Sequence, residues 1–510
     1  MKIDVVSEQN HINEVLSLYA EHLSGVVPTF RIKDRPDGKY LIVEMAAPSE
    51  RHYEIHNAVV ANLSEDNIFR HRSTLARRKA APNQRLALPE TQILRKELSQ
   101  SLTVDRTSFG ERFFERYTPS VSGVEQQITA KANYVVYGRR GAGKSSLLAY
   151  AMHSAVREKK PISWVPIQTY AQRKDDGIIP SIVADILNQV VEYFPDATEV
   201  RALIERLTRI SGISANKVRT ETDKVVPRIR WLISTLAKTD KPLTIFLDDI
   251  HVIDASMQPS VLAFVYKFSR DNNTNLKVSG IEQLTTPWDS IKQNGLQAPH
   301  DIQILKLDYN LTMPDKSKEH IVSILNTHAK FCGFPSIQYL AGDKVLSRLV
   351  LVAAGVPRDS LNVFSAAISK AIAKSQRQIS ITSINAAASE MAEEKFKDIE
   401  RDTGGQVKDI EALLGEVKDF CIRQKKKNSF LVKIDHNNSR YKLIQILAAL
   451  RLVHVLHEGI TPHSAGERYN ALMLDYGFYV GIRAARSMEY VPPEPKPLPV
   501  KNLRSLPIFR

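Results

Sequence analysis

The 510-residue chain has little cysteine and no long apolar run. Its two cysteines, Cys332 and Cys421, lie far apart and lack both the density of a disulfide framework and the spacing of a metal site, so we expect reduced thiols in the core. No stretch approaches the roughly 18 consecutive apolar residues of a membrane-spanning helix, and the first residues carry no apolar signal-peptide run. These absences favour a cytoplasmic protein with no membrane partner.

Catalytic sets built from several polar side chains are also scarce. No arrangement typical of a nuclease, a protease or a deaminase is present. His52, Glu54 and His56 alternate as they would on one face of a strand, but acidic residues at a supporting spacing are missing. We therefore expect no metal site in this part of the chain.

The composition is otherwise that of an ordinary globular protein. Hydrophobic residues make up 43% and charged residues 25%, and the length suggests about three domains. The net charge of +14 favours contact with a polyanion such as nucleic acid, although large proteins also carry such charge without one. Residues 69–96 hold eight basic residues and one acidic residue, Glu90. This segment either contacts nucleic acid or forms a solvated linker, which its Ala-Ala-Pro-Asn run favours.

The pattern at the start of the chain predicts a small α/β module. Residues 12–24 have helical character, and residues 29–33 and 40–44 flank a turn at Pro36-Asp37-Gly38, which is typical of a hairpin. A polar stretch follows, and its last part is aromatic. We expect this part to pack against the next domain as a lead-in helix. The aromatic residues are Phe109, Phe113, Phe114 and Tyr117.

From about residue 126, short apolar runs alternate with helical stretches, which predicts an α/β fold with a parallel sheet covered by helices. The five predicted strands are 134–137, 162–166, 243–247, 276–279 and 302–307. The predicted boundaries are 1–80 for the N-terminal module, 81–125 for the linker and lead-in helix, 126–312 for the core with a helical insertion at 182–237, 313–396 for a helical lid, 397–429 for a charged, solvated connector, 430–487 for a mostly helical C-terminal domain and 488–510 for a proline-rich tail.

One stretch has the spacing of a phosphate-binding P-loop. It lies between an apolar strand and a helix, which is the context that this motif needs. Glycines let backbone N–H groups point at a polyphosphate, and the helix N-terminus adds partial positive charge. Lys144 would reach the β- and γ-phosphates and Ser145 would hold Mg²⁺, so we expect ATP and Mg²⁺ as cofactors. The expected nucleotide contacts are Gly138, Arg139, Arg140, Gly141, Ala142, Gly143, Lys144, Ser145 and Ser146.

A second element has the chemistry that nucleotide hydrolysis needs. The apolar strand 243–247 ends in the paired carboxylates of Asp248 and Asp249. Asp248 would coordinate Mg²⁺ directly or through water, and Asp249 would orient or polarise the water that attacks the γ-phosphate. Two acids at a strand end can also cap the next helix, but their occurrence together with the glycine loop favours the catalytic role.

The glycine loop, the Leu-Asp-Asp strand end and the helical lid together resemble the AAA+ ATPases. The resemblance is closest to the branch around origin-recognition initiator proteins and the related STAND-type ATPases, of the bacterial stand-alone type, and it covers roughly residues 109–395. In these families a polar residue after the next strand senses the γ-phosphate. Gln283 holds that place by register, where Asn or Thr is more usual. Arg358, in Gly355-Val356-Pro357-Arg358, resembles the lid arginine that leans over the nucleotide. Arg270 lies where the family usually has the arginine finger of a neighbouring subunit.

The resemblance also implies a candidate DNA-binding domain. In origin-recognition proteins a winged helix follows the lid, and residues 439–486 have about the right size. Residues 465–474 take the place of the reading helix, although they are poor in basic side chains. Phosphate contacts could come instead from residues 425–427 and 440–442. Double-stranded DNA is therefore a candidate partner that the sequence leaves open.

The function that the resemblance implies is an ATPase switch. Nucleotide binding would close the lid, subunits would associate into a homo-oligomer, and the terminal domains would engage DNA or a partner protein until hydrolysis resets them. By analogy with stand-alone bacterial ATPases, such a switch serves a defence or mobile-element module. The alternative is an ATP-dependent signalling scaffold that recruits a separately encoded effector protein and needs no DNA. A third reading, a replication initiator or helicase loader, calls for a more basic reading helix.

Overall fold

A computed structural model describes residues 5–79, 84–103, 113–120, 122–194, 197–237, 241–307, 311–403, 407–461, 466–480 and 487–510. The N-terminal module is a three-stranded sheet with two helices, and its hairpin is the one expected from the sequence. The elements are α1 (Val5–His22), β1 (Thr29–Arg35), β2 (Gly38–Met45), α2 (Glu50–Asn62) and β3 (Ser73–Arg77). β2 pairs antiparallel with β1 and parallel with β3.

The strand-face arrangement predicted for His52, Glu54 and His56 is wrong, because all three residues lie on α2. The His52 ring closes a capping box at the start of this helix, with Nδ1 2.6 Å from Ser49 Oγ. The His56 ring lies 2.6 Å from the Tyr19 hydroxyl. The alternation of polar residues over five positions predicted a strand, but the N-cap at Ser49 and the helix-forming residues that follow it favour a helix. Both histidines therefore have structural partners.

The described parts of the basic segment, residues 69–79 and 84–96, are folded, so the interpretation as a solvated linker is wrong for these parts; the Ala-Ala-Pro-Asn run at 80–83 lies outside the described residues. The Arg78 guanidinium lies 3.0 Å from the buried Glu90 carboxylate, and Arg85 stacks 4.4 Å over the Tyr339 ring of the lid. Arg78 and Arg85 therefore form contacts within the structure. The next helices are α3 (Pro89–Gln100), α4 (Phe113–Arg116) and α5 (Val124–Thr129).

The central domain is a five-stranded parallel sheet flanked by helices, and the predicted fold class is confirmed. All five predicted strands are present. The elements are β4 (Tyr134–Tyr137), α6 (Lys144–Arg157), β5 (Ile162–Pro166), α7 (Ile178–Val190), α8 (Ala197–Ile210), α9 (Ala215–Leu236), β6 (Leu243–Asp248), α10 (Gln258–Ser269), β7 (Thr274–Gly280), a small ribbon of β8 (Trp288–Asp289) and β9 (Asn294–Gly295), and β10 (Gln303–Lys306). The strand order is β10-β4-β7-β6-β5.

The sheet positions the functional segments. Every residue of β4 and β6 is buried, which is why these strands are continuous apolar runs in the sequence. Because the five strands are parallel, their carboxyl ends meet at one edge of the sheet. The glycine loop after β4, the two aspartates at the end of β6 and the end of β7 therefore lie side by side. The lead-in segment packs here as expected, since the Tyr117 ring stacks on Tyr150 of α6 at 4.9 Å. Phe109 lies outside the described residues.

The lid is a group of four helices that also supports the N-terminal module. The Arg51 guanidinium lies 3.4 Å over the Phe331 ring, and Ala47 N donates to Gly333 O at 2.9 Å. Cys332 next to this contact is a buried free thiol, as is Cys421. The lid helices are α11 (Pro314–Phe331), α12 (Asp343–Val352), α13 (Pro357–Ala373) and α14 (Ile381–Thr403).

The C-terminal domain contains an antiparallel sheet in the order β11-β13-β12. Its elements are α15 (Val407–Asp419), β11 (Ser429–Lys433), α16 (Ser439–Ala449), β12 (Val453–Ile460), β13 (Tyr469–Leu474) and α17 (Val500–Arg504). The reading helix expected at 465–474 is wrong, because its described part contains the strand β13. An apolar run of this length does not distinguish a buried strand from a buried helix. Only α16 lies between β11 and β12, whereas a helix-turn-helix needs two helices.

One further expectation for this region, the solvated connector, is wrong. The described parts of the connector, residues 397–403 and 407–429, are largely helical, and α15 buries Ile410, Leu413 and Val417 at helical spacing. Its high charge had concealed this periodicity. The tail folds back onto the domain, because Leu431 N donates to Pro507 O at 2.8 Å and Phe509 N donates to Leu431 O at 2.9 Å. The Phe509 ring packs 5.7 Å from the Phe430 ring.

Among the described residues, one continuous apolar core joins the N-terminal module, α3, the lid and the C-terminal domain. Separate cores lie on the faces of the central sheet. In the part of the C-terminal domain that the structure describes, the apolar core is therefore shared with the lid. Within the described ranges, none of the helices combines the length and the apolar character that crossing a bilayer requires.

Candidate functional site

The loop between β4 and α6 has the backbone of an anion-binding loop. Gly141 and Gly143 have φ angles of 79° and 95°, in the left-handed region that glycine adopts without strain. Helix α6 begins at Lys144, so its unpaired N–H groups and partial positive charge face this loop. A Cβ atom on Gly141 would lie 2.8 Å from Arg358 Cβ, so glycine also permits the close approach of the lid.

Lys144 is a buried cation at the centre of the site. It is 6% exposed, and its Nζ lies 3.4 Å from Arg139 O and 4.0 Å from Asp249 Oδ1. Burial lowers the pKa of Lys144, although Asp249 and Asp248 oppose this effect. A polyphosphate would compensate the positive charge that burial disfavours.

Asp248 has the surroundings of a magnesium ligand. Ser145 Oγ donates to Asp248 Oδ1 at 3.2 Å, and Ser279 Oγ donates to the same oxygen at 2.5 Å. Burial, with the neighbouring Asp249, raises the pKa of Asp248 to about 6 against the effect of these hydrogen bonds. Hydroxyl and carboxylate oxygens are the donors that Mg²⁺ prefers. Ser145 and Asp248 would hold the ion directly or through water, and it would add positive charge beside the terminal phosphates.

Asp249 presents its carboxylate to the cleft from a strained backbone. Its φ of 60° lies in the left-handed region, and its N–H donates to Ser279 Oγ at 2.8 Å. The side chain is 38% exposed, and His251 Nδ1 lies 3.7 Å from its Oδ1. Burial lowers the pKa of His251 to about 4, although Asp249 opposes this, so the ring is neutral at pH 7. Ser279 thus holds both aspartates.

The lid places Arg358 over the loop. Arg358 lies in the first turn of α13, and its backbone N donates to Gly141 O at 3.2 Å. The side chain lines the same cleft as Arg140 and Lys144. Burial, followed by the nearby cations of Arg451 and Arg140, lowers the pKa of Arg358. These effects indicate a concentration of positive charge that suits an anionic ligand.

The cleft continues away from the glycine loop into a pocket between the lead-in segment and α11. The cleft and this pocket together have a volume of about 540 Å³, in the usual range for small-molecule sites. Burial lowers the pKa of both His320 and His328, which line the pocket, to about 4, so both rings are neutral at pH 7. The pocket is suited to the base and the sugar of a nucleotide. Other lining residues are Gln100, Thr103, Arg116, Tyr117, Thr118, Ser120, Glu125 and Ile324.

Two residues predicted for the site lie outside this cleft. Gln283 is exposed in a short 3₁₀ helix (Glu282–Leu284) beyond the end of β7. Arg270 follows α10 and precedes β7, and its side chain is 64% exposed. It therefore lies at the amino-terminal edge of the sheet, whereas the glycine loop lies at the carboxyl edge. Arg270 therefore lies away from the cleft of its own chain.

Sequence reasoning missed Ser279 and His251. Ser279 is the last side chain of the predicted strand 276–279, and a hydroxyl at that position was the available signal. His251 follows the acidic pair by two residues, and nothing in this spacing marks it. The structure brings together the residues predicted in the glycine loop, Asp248, Asp249 and Arg358. These features define the P-loop class of nucleotide-binding folds.

Comparison with known proteins supports this class. Residues 124–275 match the family model described as the AAA ATPase domain, which confirms the resemblance to AAA+ ATPases over that segment. No curated protein matches the sequence.

Several solved structures resemble the chain at low identity. Drosophila ORC bound to DNA is 12% identical with a TM-score of 0.36, and the match covers 86% of this chain and 100% of that one. The Aeropyrum pernix ORC1 protein in complex with DNA is 14% identical with a TM-score of 0.40, over 78% and 95%. The Walker-type ATPase PABY2304 of Pyrococcus abyssi is 12% identical with a TM-score of 0.40, over 76% and 99%.

Proposed function

We propose that this protein is an ATP-binding and ATP-hydrolysing switch whose nucleotide state governs self-association and the engagement of DNA or a partner protein. The observation that carries the proposal is the convergence of Lys144, Ser145, Asp248, Asp249 and Arg358 on one cleft. Each has the chemistry for a part of phosphoryl transfer.

The proposed roles follow from the positions of these groups. Lys144 binds the β- and γ-phosphate oxygens from the start of α6. Asp249 orients the attacking water, because its carboxylate faces the cleft while its backbone is held by Ser279. Arg358 contacts the γ-phosphate from the lid, so the loss of that phosphate removes a contact between the lid and the core. Hydrolysis thereby changes the lid angle.

Self-association is supported by the position of Arg270. It lies at the opposite edge of the sheet from its own glycine loop and is largely exposed. An arginine finger supplied from a neighbouring subunit stabilises the charge that develops in the transition state. ATP-dependent assembly of identical subunits follows from this role.

DNA engagement, in this proposal, depends on phosphate contacts rather than on base reading. The C-terminal domain has one helix between β11 and β12. Two of its basic residues already hold carboxylates, since Lys427 pairs with Glu489 and Arg440 pairs with Glu416.

The N-terminal hairpin offers a better surface for phosphates. Arg31, Lys33 and Arg35 alternate along β1 and therefore share one face of the sheet, and all three are exposed. Arg31 pairs with Glu44, and Arg35 stacks 4.4 Å over the Tyr40 ring. Lys33 and Arg35 are thus the side chains of this face best placed to contact a polyanion.

The second candidate function is a signalling scaffold in which ATP promotes assembly and a separately encoded effector does the chemistry. The lack of a second helix between β11 and β12 favours this candidate, because a scaffold needs no reading helix. By analogy with stand-alone bacterial ATPases, either function would serve a defence or mobile-element module.

ATP turnover of the purified protein, with and without double-stranded DNA, tests the proposal. Lys144→Ala should abolish ATP binding. The control is Lys131→Ala, which removes an exposed lysine of the same domain and should leave ATP binding unchanged. Tight ATP binding by Lys144→Ala would refute the proposed site. If the protein engages DNA, we expect DNA to stimulate ATP turnover and DNA affinity to fall steeply with salt. The slope of log affinity against log salt concentration should be smaller by about 2 in Lys33→Glu/Arg35→Glu. Turnover that is insensitive to DNA would favour the scaffold.

A further inference from the structure

Six polar side chains meet where the glycine loop, the lid and the C-terminal domain come together. Five of them are between 1% and 4% exposed, and the sixth is partly buried in the glycine loop. We call them the ionic cluster. Its members are Arg139 of the glycine loop, Asp359 of α13, Lys395 of α14, and Arg451, His454 and Asp475 of the C-terminal domain.

The contacts of the ionic cluster form an unbroken path. Arg139 Nη1 lies 3.4 Å from His454 Nδ1, and His454 Nε2 lies 2.8 Å from Asp475 Oδ2. Lys395 Nζ then bridges Asp475 Oδ2 at 2.6 Å and Asp359 Oδ2 at 3.2 Å. The path ends in the ion pair between Asp359 and Arg451.

The geometry determines the tautomer of His454. Nε2 faces a carboxylate, so it carries the proton and donates to Asp475. Nδ1 is then a lone-pair acceptor, and it can receive an N–H of Arg139. Burial lowers the pKa of His454 to about 4 although Asp475 opposes this, which is consistent with a neutral ring. One imidazole thus connects an arginine of the glycine loop to a carboxylate of the C-terminal domain.

Both ends of the path adjoin groups of the nucleotide site. Arg139 is part of the glycine loop, and its Nη2 also donates to Ala354 O at 3.2 Å. Asp359 directly follows Arg358, whose backbone N donates to Gly141 O. The C-terminal domain is therefore in contact with Arg139 of the glycine loop and with Asp359, the residue that follows the lid arginine.

We propose that the ionic cluster makes the C-terminal domain a positioning element for the nucleotide site, so that nucleotide binding and docking of this domain strengthen each other. His454 and Arg451 act as positioning residues, because they touch Arg139 and Asp359 rather than the nucleotide. The inference rests on the proposed function in that the cleft must bind nucleotide. By linkage, whatever moves the C-terminal domain changes nucleotide affinity by the same factor that nucleotide changes docking.

The charge arrangement supports coupling over simple stabilisation. Buried ion pairs add little to stability compared with apolar packing, but losing one member leaves a charge that the interior cannot solvate. Three cations here face two carboxylates, while His454 is neutral. A polyphosphate bound in the adjoining cleft, which Arg358 lines directly before Asp359, would add negative charge next to this group.

The decisive variant is His454→Gln. A glutamine amide can donate to Asp475 in place of Nε2, but it offers no acceptor at the position of Nδ1, so the link to Arg139 is lost while the domain keeps its internal contact. His454→Asn is the reciprocal variant, because its amide oxygen can replace Nδ1. Lys433→Gln is the matched control, since Lys433 forms an exposed ion pair with Glu467 in the same sheet.

Nucleotide affinity, ATP turnover and amide hydrogen exchange of residues 453–474 are measured with and without a non-hydrolysable ATP analogue. In the wild type and in Lys433→Gln, the analogue should slow exchange in β12 and β13. In His454→Gln, affinity should fall about tenfold, KM should rise with little change in kcat, and the slowing should be lost. His454→Asn should retain part of the coupling, and melting temperatures identify any variant that fails to fold.

The outcomes separate the two proposals. If the wild type binds no nucleotide, the proposed function fails, and this inference fails with it. If the wild type binds nucleotide but exchange in β12 and β13 does not respond, the inference alone is overturned. Unchanged affinity and unchanged exchange response in a folded His454→Gln protein would overturn it as well.

Discussion

Replacing Ser279 by alanine should impair hydrolysis more than nucleotide binding. The Ser279 hydroxyl makes two hydrogen bonds in the site, one to the Asp248 carboxylate at 2.5 Å and one from the Asp249 N–H at 2.8 Å. Ser279 itself is fully buried and does not line the cleft. Its substitution therefore leaves the phosphate contacts in place and removes only the support behind the two aspartates.

The magnitude follows from these two bonds. A hydrogen bond to a charged group contributes about 1.5–3 kcal/mol, and a buried N–H left without an acceptor costs about 1–3 kcal/mol. We expect the free energy of unfolding to fall by about 2–4 kcal/mol. Asp249 would also lose the contact that holds its left-handed backbone, so its carboxylate would move from the cleft. If about 2 kcal/mol of the lost stabilisation raises the free energy of the transition state of hydrolysis, kcat falls about 30-fold.

Steady-state turnover, nucleotide affinity and denaturant unfolding check this prediction. The control is Ser163→Ala, because Ser163 is equally buried on the adjacent part of the sheet, and its hydroxyl has no hydrogen-bond partner among the described residues. That variant should keep its turnover and change stability by less than about 1 kcal/mol. Equal turnover of Ser279→Ala and wild type would refute the assigned role of Ser279, whereas a parallel loss of affinity would indicate damage to the whole loop.

Three further predictions concern the same site and its surroundings. Asp249→Asn should bind ATP with nearly unchanged affinity but lose at least about 100-fold in kcat, measured by single turnover. Gly141→Ala should abolish tight ATP binding in calorimetry, because the new Cβ would clash with the lid at a positive φ; Gly415→Ala, where nothing lies within 4 Å, should be neutral or slightly stabilising. Stability should fall on acidification, because the folded state keeps His328 neutral down to about pH 4 while the unfolded chain protonates it below about 6.5. The contribution of His328 to the free energy of unfolding is complete above pH 6.5, and about 2 kcal/mol of it is lost by pH 5. Denaturant melts of His328→Gln should show a weaker pH dependence, and His300→Gln, at an exposed site, should match the wild type.

Local sequence was sufficient for the central sheet and for the phosphate-binding part of the cleft. Strands such as 134–137 are apolar along their whole length because helices cover the parallel sheet on both faces. The glycine loop needs small residues at fixed positions for backbone reasons, and Asp248 and Asp249 must follow their strand directly. Each of these features is a constraint between neighbours in the chain, which is why it is visible in the sequence.

Features that depend on distant partners were not predictable in this way. The strand β13 and the helix α15 are ambiguous in isolation, because burial on both sides or a high local charge hides their periodicity. Ser279 becomes part of the site only because β7 pairs beside β4 and lies next to β6.

The P-loop and the acidic strand end are visible in the sequence itself, since each is a short pattern of neighbouring residues, and the position of the lid arginine came from the family resemblance. The tertiary structure alone decided what surrounds them. Arg139, Asp359 and His454 lie up to 315 positions apart and become partners only when the glycine loop, the lid and the C-terminal domain pack together. Charges separated so widely carry no mutual signal in the chain, because what pairs them is the burial that the complete fold imposes.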